Sequence, residues 1–230
     1  MPGMAIRRMT LRWGILALFV LALLFSFVLS PDDKILGSTV RIFYIHFGSA
    51  IACFAAYAIS WVTAILYLAR REVHYDRLSA ASAEVGTLLA TCVLISGSIW
   101  ARVAWNTWWT WDPRLITTAI LWFIYVGYFV LRSFLEGDRR RQASYAAVWS
   151  IFAFADVPVV YFSDRWWTSI HPVLFTGGSV NISSPAMVVS MVLFLLAMGA
   201  FMVDLVLLRE RQHTAQDRLN ELKVRLRADI

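Results

Sequence analysis

Charge is scarce in this sequence. Asp, Glu, Lys and Arg make up 16% of the 230 residues, while 60% are hydrophobic. A soluble domain of this size carries about a quarter charged residues, so the deficit fits a chain whose outer surface faces lipid. Cysteine is nearly absent too. Cys53 and Cys92 stand far apart in apolar runs and form no CxxC pair, which disfavours both a disulfide framework and a thiol redox role. There is no Walker A sequence, no HExxH and no serine elbow, so nothing points to an ATPase, a zinc protease or a hydrolase, and no enzymatic bond chemistry is expected. Repeats and low-complexity tracts are missing as well.

What fills the chain instead is apolar runs, at 13–29, 42–69, 85–104, 115–135, 144–162 and 185–208. Each approaches the roughly 20 residues that a membrane helix needs. The expectation is an all-α polytopic membrane protein with six transmembrane helices. Residues 1–208 form its one membrane domain, and there is no room for a separate soluble one. Residues 209–230 are charged, with Leu219, Leu222 and Leu226 at helical spacing, and read as a helical cytoplasmic tail beside the membrane or a partner. No small-residue cleavage site follows Leu29, so the first run reads as an uncleaved helix that also serves as targeting signal.

The net charge of +6 would suit a nucleic-acid partner, but the cations cluster between apolar runs, where they act as topology signals. Sixteen Lys and Arg fall on the side of the termini and five, namely Lys34, Arg41, Arg102, Arg114 and Arg165, on the other. That asymmetry predicts cytoplasmic termini and three outward loops, 30–41, 105–114 and 163–184. The last is the longest, and Ser183-Ser184-Pro185 closes it as a cap followed by proline at the first helical position.

Unusual residues collect on that outward side. Seven of the 11 tryptophans lie there: Trp100, Trp105, Trp108, Trp109, Trp111, Trp166 and Trp167. An aromatic belt would populate both faces of the membrane. Four tryptophans within 105–111 make a flat shelf suited to a planar apolar ligand, with indole N–H groups at its polar edges. His74 and His213 sit in arginine-rich segments and read as solvated. His46 lies in a run of 28 residues, about 42 Å as a helix against about 30 Å of hydrocarbon, so its first turns reach the outer interface. His171 lies in the long outward loop. Two imidazoles from separate segments on one side can supply both axial positions of a haem iron, although a lone histidine is more often structural. No apolar run holds two histidines spaced for stacked haems, which removes an electron-conducting cytochrome b. The outward arginines either pair with ligand carboxylates or anchor headgroups. Asp156 stands inside an apolar run, where a carboxylate usually has a specific partner or task, and Pro158 is expected to bend that helix.

These residues resemble a known family. WNTWWTWDPRL at 105–115 resembles the tryptophan-rich signature of membrane haem-handling proteins. DVPVVYFSDRWWTSIHP at 156–172 and RIFYIHFGSA at 41–50 are similar to the two histidine segments of one branch, the haem exporter protein C (CcmC) family of cytochrome c maturation. The resemblance covers nearly the whole chain. It departs at Phe47-Gly48, where the family usually has Val-Pro, at Ala101 and Asn106, where glycines are usual, and at Ile116, which replaces a threonine.

The resemblance implies haem b, held non-covalently at the periplasmic face of the bacterial inner membrane. His46 and His171 are its implied axial ligands, with the tryptophan loop against the porphyrin. With the residues singled out by position, the candidate site is His46, His171, Trp105, Trp108, Trp109, Trp111, Asp112, Arg114, Trp166, Trp167, Arg41 and Arg102. The resemblance also implies delivery to a periplasmic haem chaperone, CcmE, beside the transporter subunits CcmA and CcmB and the one-helix protein CcmD. The alternative is a membrane subunit of an ABC-type transporter exporting haem or another solute. That reading wants polar groups in mid-helix, and few are expected here.

Overall fold

The structure, a computed structural model, describes residues 2–33, 37–171, 175–176, 179–180 and 184–228, with side chains over 9–33, 37–171 and 184–226. Lys34, Pro172 and Ser183, which entered the sequence reading, lie outside the described residues.

Among the described residues, six helices are long and apolar enough to cross a bilayer. They are α1 (Pro2–Leu24), extended by a π-helical turn at Phe25–Leu29; α2 (Val40–Arg70); α3 (Val73–Trp105); α4 (Pro113–Phe134); α5 (Arg139–Phe154) with α6 (Asp156–Trp166) as one crossing; and α7 (Pro185–Ala228). A two-residue antiparallel ladder, β1 (Phe175–Thr176) with β2 (Ser179–Val180), lies in the last loop. An even number of crossings puts both termini on one side. That side is called the terminal end here, and the opposite one the loop end.

The helix boundaries have local causes. Asp112 caps α4, its carboxylate accepting the Arg114 N–H at 3.0 Å, with Pro113 at the first helical position where a missing N–H costs nothing. Asp138 caps α5 through the Arg141 N–H, and Ser184 caps α7 through the Ala186 N–H. α3 ends at Asn106 in the left-handed region (φ 58°), which asparagine tolerates. Two helices run longer than their apolar stretches. α3 begins twelve residues before 85, and α7 continues without interruption through 228. Hydropathy registers lipid contact, whereas these extensions are held by charge. Glu84 pairs with Arg209 and His213, Arg77 with Glu210 and Asp217, and Arg139 with Asp217. Leu219, Leu222 and Leu226 are exposed beyond those pairs.

α2 is the central helix, packed against α3, α7 and α5. Alanines 52, 56, 81 and 83 are buried there, and small residues let membrane helices approach closely. Tyr57 and Tyr125 stack at 3.7 Å between their centroids. The interior is more polar than the apolar runs suggest. Ser60 bonds Ser79 at 3.2 Å and Ser150 at 3.0 Å, and Tyr57 bonds Thr87. Serine and threonine escape a hydropathy reading because they can satisfy themselves locally, as Thr63 and Thr87 do on the carbonyl four residues back.

The fifth crossing is interrupted at Ala155, three residues before Pro158. Pro158 has no N–H to return to the Phe154 carbonyl. α5 packs on both α2 and α4, whereas α6 packs on α4. The loss of that contact leaves room beside the loop-end half of α2. Asp156, at the break, has a buried Oδ2 with no hydrogen-bond partner.

Candidate binding site at the loop end

That room is a cavity of about 160 Å³, walled by α2, α3, α4, α6 and His171. Phe43, His46 and Phe47 project into it from one face of α2, Gly97 and Trp100 from α3, and Arg114, Asp164 and Arg165 from α4 and α6. Gly97 makes room for His46. A β-carbon at 97 would sit 3.1 Å from the imidazole Cε1. At Gly48, a residue that departs from the family pattern, a β-carbon would meet the Phe194 carbonyl oxygen at 3.0 Å, so glycine lets α2 close on α7 there.

Both imidazoles are fixed through Nδ1. The Ser96 hydroxyl gives its proton to the Cys92 carbonyl at 2.7 Å, so toward His46, 3.0 Å away, its oxygen accepts and Nδ1 donates. His171 Nδ1 lies 2.9 Å from Asp112 Oδ1. An ionised carboxylate only accepts, so this Nδ1 also carries the proton. In both rings Nε2 keeps its lone pair, and no hydrogen bond among the described residues engages it. A carboxylate or hydroxyl behind a ligating histidine fixes tautomer and ring orientation in metal sites.

Asp112 is the keystone of the loop end. Besides capping α4 and holding His171, it accepts from the Ser169 hydroxyl at 2.8 Å and the Ile170 N–H at 2.9 Å. Burial pushes its carboxyl pKa up, but the hydrogen bonds from Ser169, Ile170 and Arg114, with the charge of His171, outweigh that and leave it below the usual value. His171 is pulled below its ordinary value, mainly by burial, against the pull of Asp112. The pair therefore reads as carboxylate and neutral imidazole at pH 7, the form in which imidazole is a donor.

The proposed site residues do not all converge. His46, His171 and Arg114 line the cavity. Asp112 touches His171, and Trp105 packs edge-on to it at 4.9 Å. Trp108, Trp111, Trp166 and Trp167 are exposed, Trp109 is half-buried, and none of the five lines the cavity. Arg41 is engaged elsewhere, with Asp32 at 3.0 Å and the Ser26 carbonyl. Arg102 bonds the Asn106 carbonyl and lies over the Trp108 ring. Trp100, Asp164 and Ser96 are absent from the sequence-derived set. Trp100 stands one turn from Ser96 and faces the cavity with Gly97, so the helical spacing 96, 97, 100 carries the signal.

Three buried polar atoms in these walls have no partner: Trp100 Nε1, Arg114 Nε and Asp164 Oδ1. Buried polar groups are nearly always bonded, and three of the ten such unpartnered atoms among the described residues belong to side chains of this cavity wall. Among the described residues no cluster of three His, Cys, Asp or Glu side chains forms a metal site. Two imidazoles with free Nε2 atoms are the donor set available.

Comparisons with known proteins agree with the sequence resemblance. A heme exporter protein C of Paracoccus denitrificans is 33% identical over 208 residues, 87% of this chain and 83% of its own. That of Escherichia coli K12 is 31% identical over 148 residues, 64% of this chain, and the match spans only 60% of that relative's length. A putative cytochrome c biosynthesis ccmC-like mitochondrial protein of Marchantia polymorpha is 28% identical over 169 residues, 72% of this chain and 71% of its own. The profile of one family matches residues 4–225, almost the whole bundle with both histidines and the tryptophan loop, and the chain belongs to that family, heme exporter protein C.

Proposed function

We propose that this protein binds haem b non-covalently at the periplasmic face of the bacterial cytoplasmic membrane and passes it to a periplasmic haem chaperone, CcmE, for maturation of c-type cytochromes. It does so without bond chemistry of its own, in a complex with CcmA, CcmB and CcmD. The observation that carries the reading is the pair of Nδ1-anchored imidazoles, His46 and His171, in the walls of one cavity. The orientation rests on the cation asymmetry.

Bound haem would supply an iron with two axial positions, and the residues present fit it. His46 and His171 offer Nε2 lone pairs held in place from behind. Arg114 and Trp100 offer N–H donors to carboxylates at the porphyrin edge. Phe43 and Phe47 give the apolar wall, and Trp105 packs edge-on to His171. A cavity of about 160 Å³ is smaller than the roughly 300–1,000 Å³ that encloses a whole organic ligand, so entry of a full ring needs α6 to yield. The break at Ala155 is where it can. The exposed tryptophans Trp108, Trp111, Trp166 and Trp167 remain available to the ring's outer edge or to the acceptor protein. The alternative of an ABC-type solute exporter gains nothing from the buried Ser60, Ser79 and Ser150 hydroxyls, which are bonded together through Ser60.

The test is the absorption spectrum of purified protein after haem loading. His46→Ala and His171→Ala are each expected to abolish the six-coordinate signature while the protein still inserts, and added imidazole to restore it. Two variants with unchanged spectra would end the reading.

A further inference from the structure

Arg114 and Asp164 form an ion pair inside the cavity wall. Arg114 Nη2 lies 2.7 Å from Asp164 Oδ2, with the Asp164 side chain 5% exposed, and the same nitrogen donates to the Tyr161 carbonyl at 3.2 Å. Each partner keeps one buried atom unbonded, Arg114 Nε and Asp164 Oδ1. Trp100 Nε1 is unbonded in the same cavity. An occupant therefore lies against the side chains of Arg114 and Trp100, which carry N–H donors, and of Asp164, which carries a carboxylate. A ligand edge bearing a carboxylate is attracted by the first two and repelled by the third. Its attraction to Arg114 is also diminished, because Asp164 already neutralises that guanidinium.

Resting on the haem reading above, we propose that Asp164 weakens the grip on the ligand's carboxylates, so that the porphyrin stays removable. Arg114 alone would form a charge-assisted bond to a propionate in a water-poor wall, where such bonds are strong. With Asp164 opposite, propionate and aspartate compete for one cation. The site then holds its ligand mainly through the iron positions, and a protein that hands its cargo on gains from a grip that can be released. A carboxylate that merely braced Arg114 would have the opposite effect, since its loss would let the guanidinium wander and loosen the ligand.

Asp164→Asn separates the two roles. The amide keeps an oxygen acceptor for Arg114 Nη2 and removes the charge. Full-length protein in detergent, loaded with haem, is mixed with an excess of a soluble haem-scavenging protein, and the loss of the Soret band is followed. Asp164→Asn is expected to slow that loss roughly tenfold, as a desolvated charge–charge coupling does. With haem dimethyl ester, whose carboxylates are blocked, the two proteins should lose the ligand at equal rates. Asp164→Ser, which also removes the charge, carries the same expectation should the asparagine variant fail to insert. Equal or faster loss of ordinary haem from the variants would overturn the proposal while leaving the haem reading intact, as would equal slowing with the ester. A wild-type protein that takes up no haem would overturn both.

Discussion

The two ends of the bundle treat charge differently. At the terminal end the groups withdrawn from solvent have ion partners. Asp76 and Arg132 meet at 2.7 and 3.2 Å through both oxygens, Glu84 meets Arg209 and His213, and Arg77 meets Glu210 and Asp217. At the loop end Trp100 Nε1, Arg114 Nε and Asp164 Oδ1 stand buried in the cavity wall with no hydrogen-bond partner, whereas the two such atoms at the terminal end, Arg77 Nε and His213 Nε2, each face a carboxylate, at 3.6 and 3.0 Å. One end spends its charge on holding helices together, and the other keeps some for a visitor. Substitutions at the first should act on stability, and those at the second on ligand.

Arg132→Ala gives the largest expected effect. It strands the Asp76 carboxylate, and breaking a buried pair by removing one partner costs about 3–5 kcal/mol. Thermal unfolding in detergent should show it, and a melting point close to wild type would erase the distinction between the ends. Asp112→Asn comes next, at the loop end. Asparagine still caps α4, but the anionic support behind His171 is lost. Haem affinity should fall about 10–100-fold, the usual cost of losing such a support, with little change in melting. A melting loss as large as that of Arg132→Ala would make Asp112 a structural clamp instead. Gly97→Ala is milder. The new β-carbon would push the His46 ring by a few tenths of an ångström from its 3.1 Å contact, moving the absorption maximum and weakening haem binding a few-fold. An unaltered spectrum would mean that His46 has slack. Leu222→Glu, on the exposed face beyond the last ion pair, should change stability by less than about 0.5 kcal/mol. A larger loss would show the tail packed against something that the charge pairs alone do not explain.

Much of this was legible in the sequence, for reasons that differ by residue. The six crossings follow from apolar length, and the cap at Ser184 from its place before Pro185. The approach of His46 to the loop end follows from a run too long for the hydrocarbon. Other features lie between segments, where periodicity is blind. The bond from His171 to Asp112 joins residues 59 apart, and the bond from His46 to Ser96 joins residues 50 apart. Both link residue types that are common in loops and helices. The tryptophan-rich stretch drew attention to 105–111, yet it is Trp100, inside the helix before it, whose indole faces the cavity. The charged starts of α3 and the tail of α7 looked like separate ends, because pairing across 125 positions, as between Glu84 and Arg209, leaves no local trace.

The anchors of the two imidazoles carry one more consequence. Ser96 and His46 both belong to α2 and α3, which pack tightly with each other and with α7. Asp112 and His171 bracket α4, α5 and α6, and their bond clasps that stretch into a closed loop. Each ring is thus fastened to its own half of the loop end, and the cavity is the seam between those halves, which α5 on α2 and α4 on α3 join elsewhere. Opening it requires neither ring to turn. It requires α6 to yield at the Ala155 break, with each imidazole held on its own anchor. The distance between the two Nε2 atoms then becomes a property of how the halves sit, and anything that leans on the outside of either half can set it.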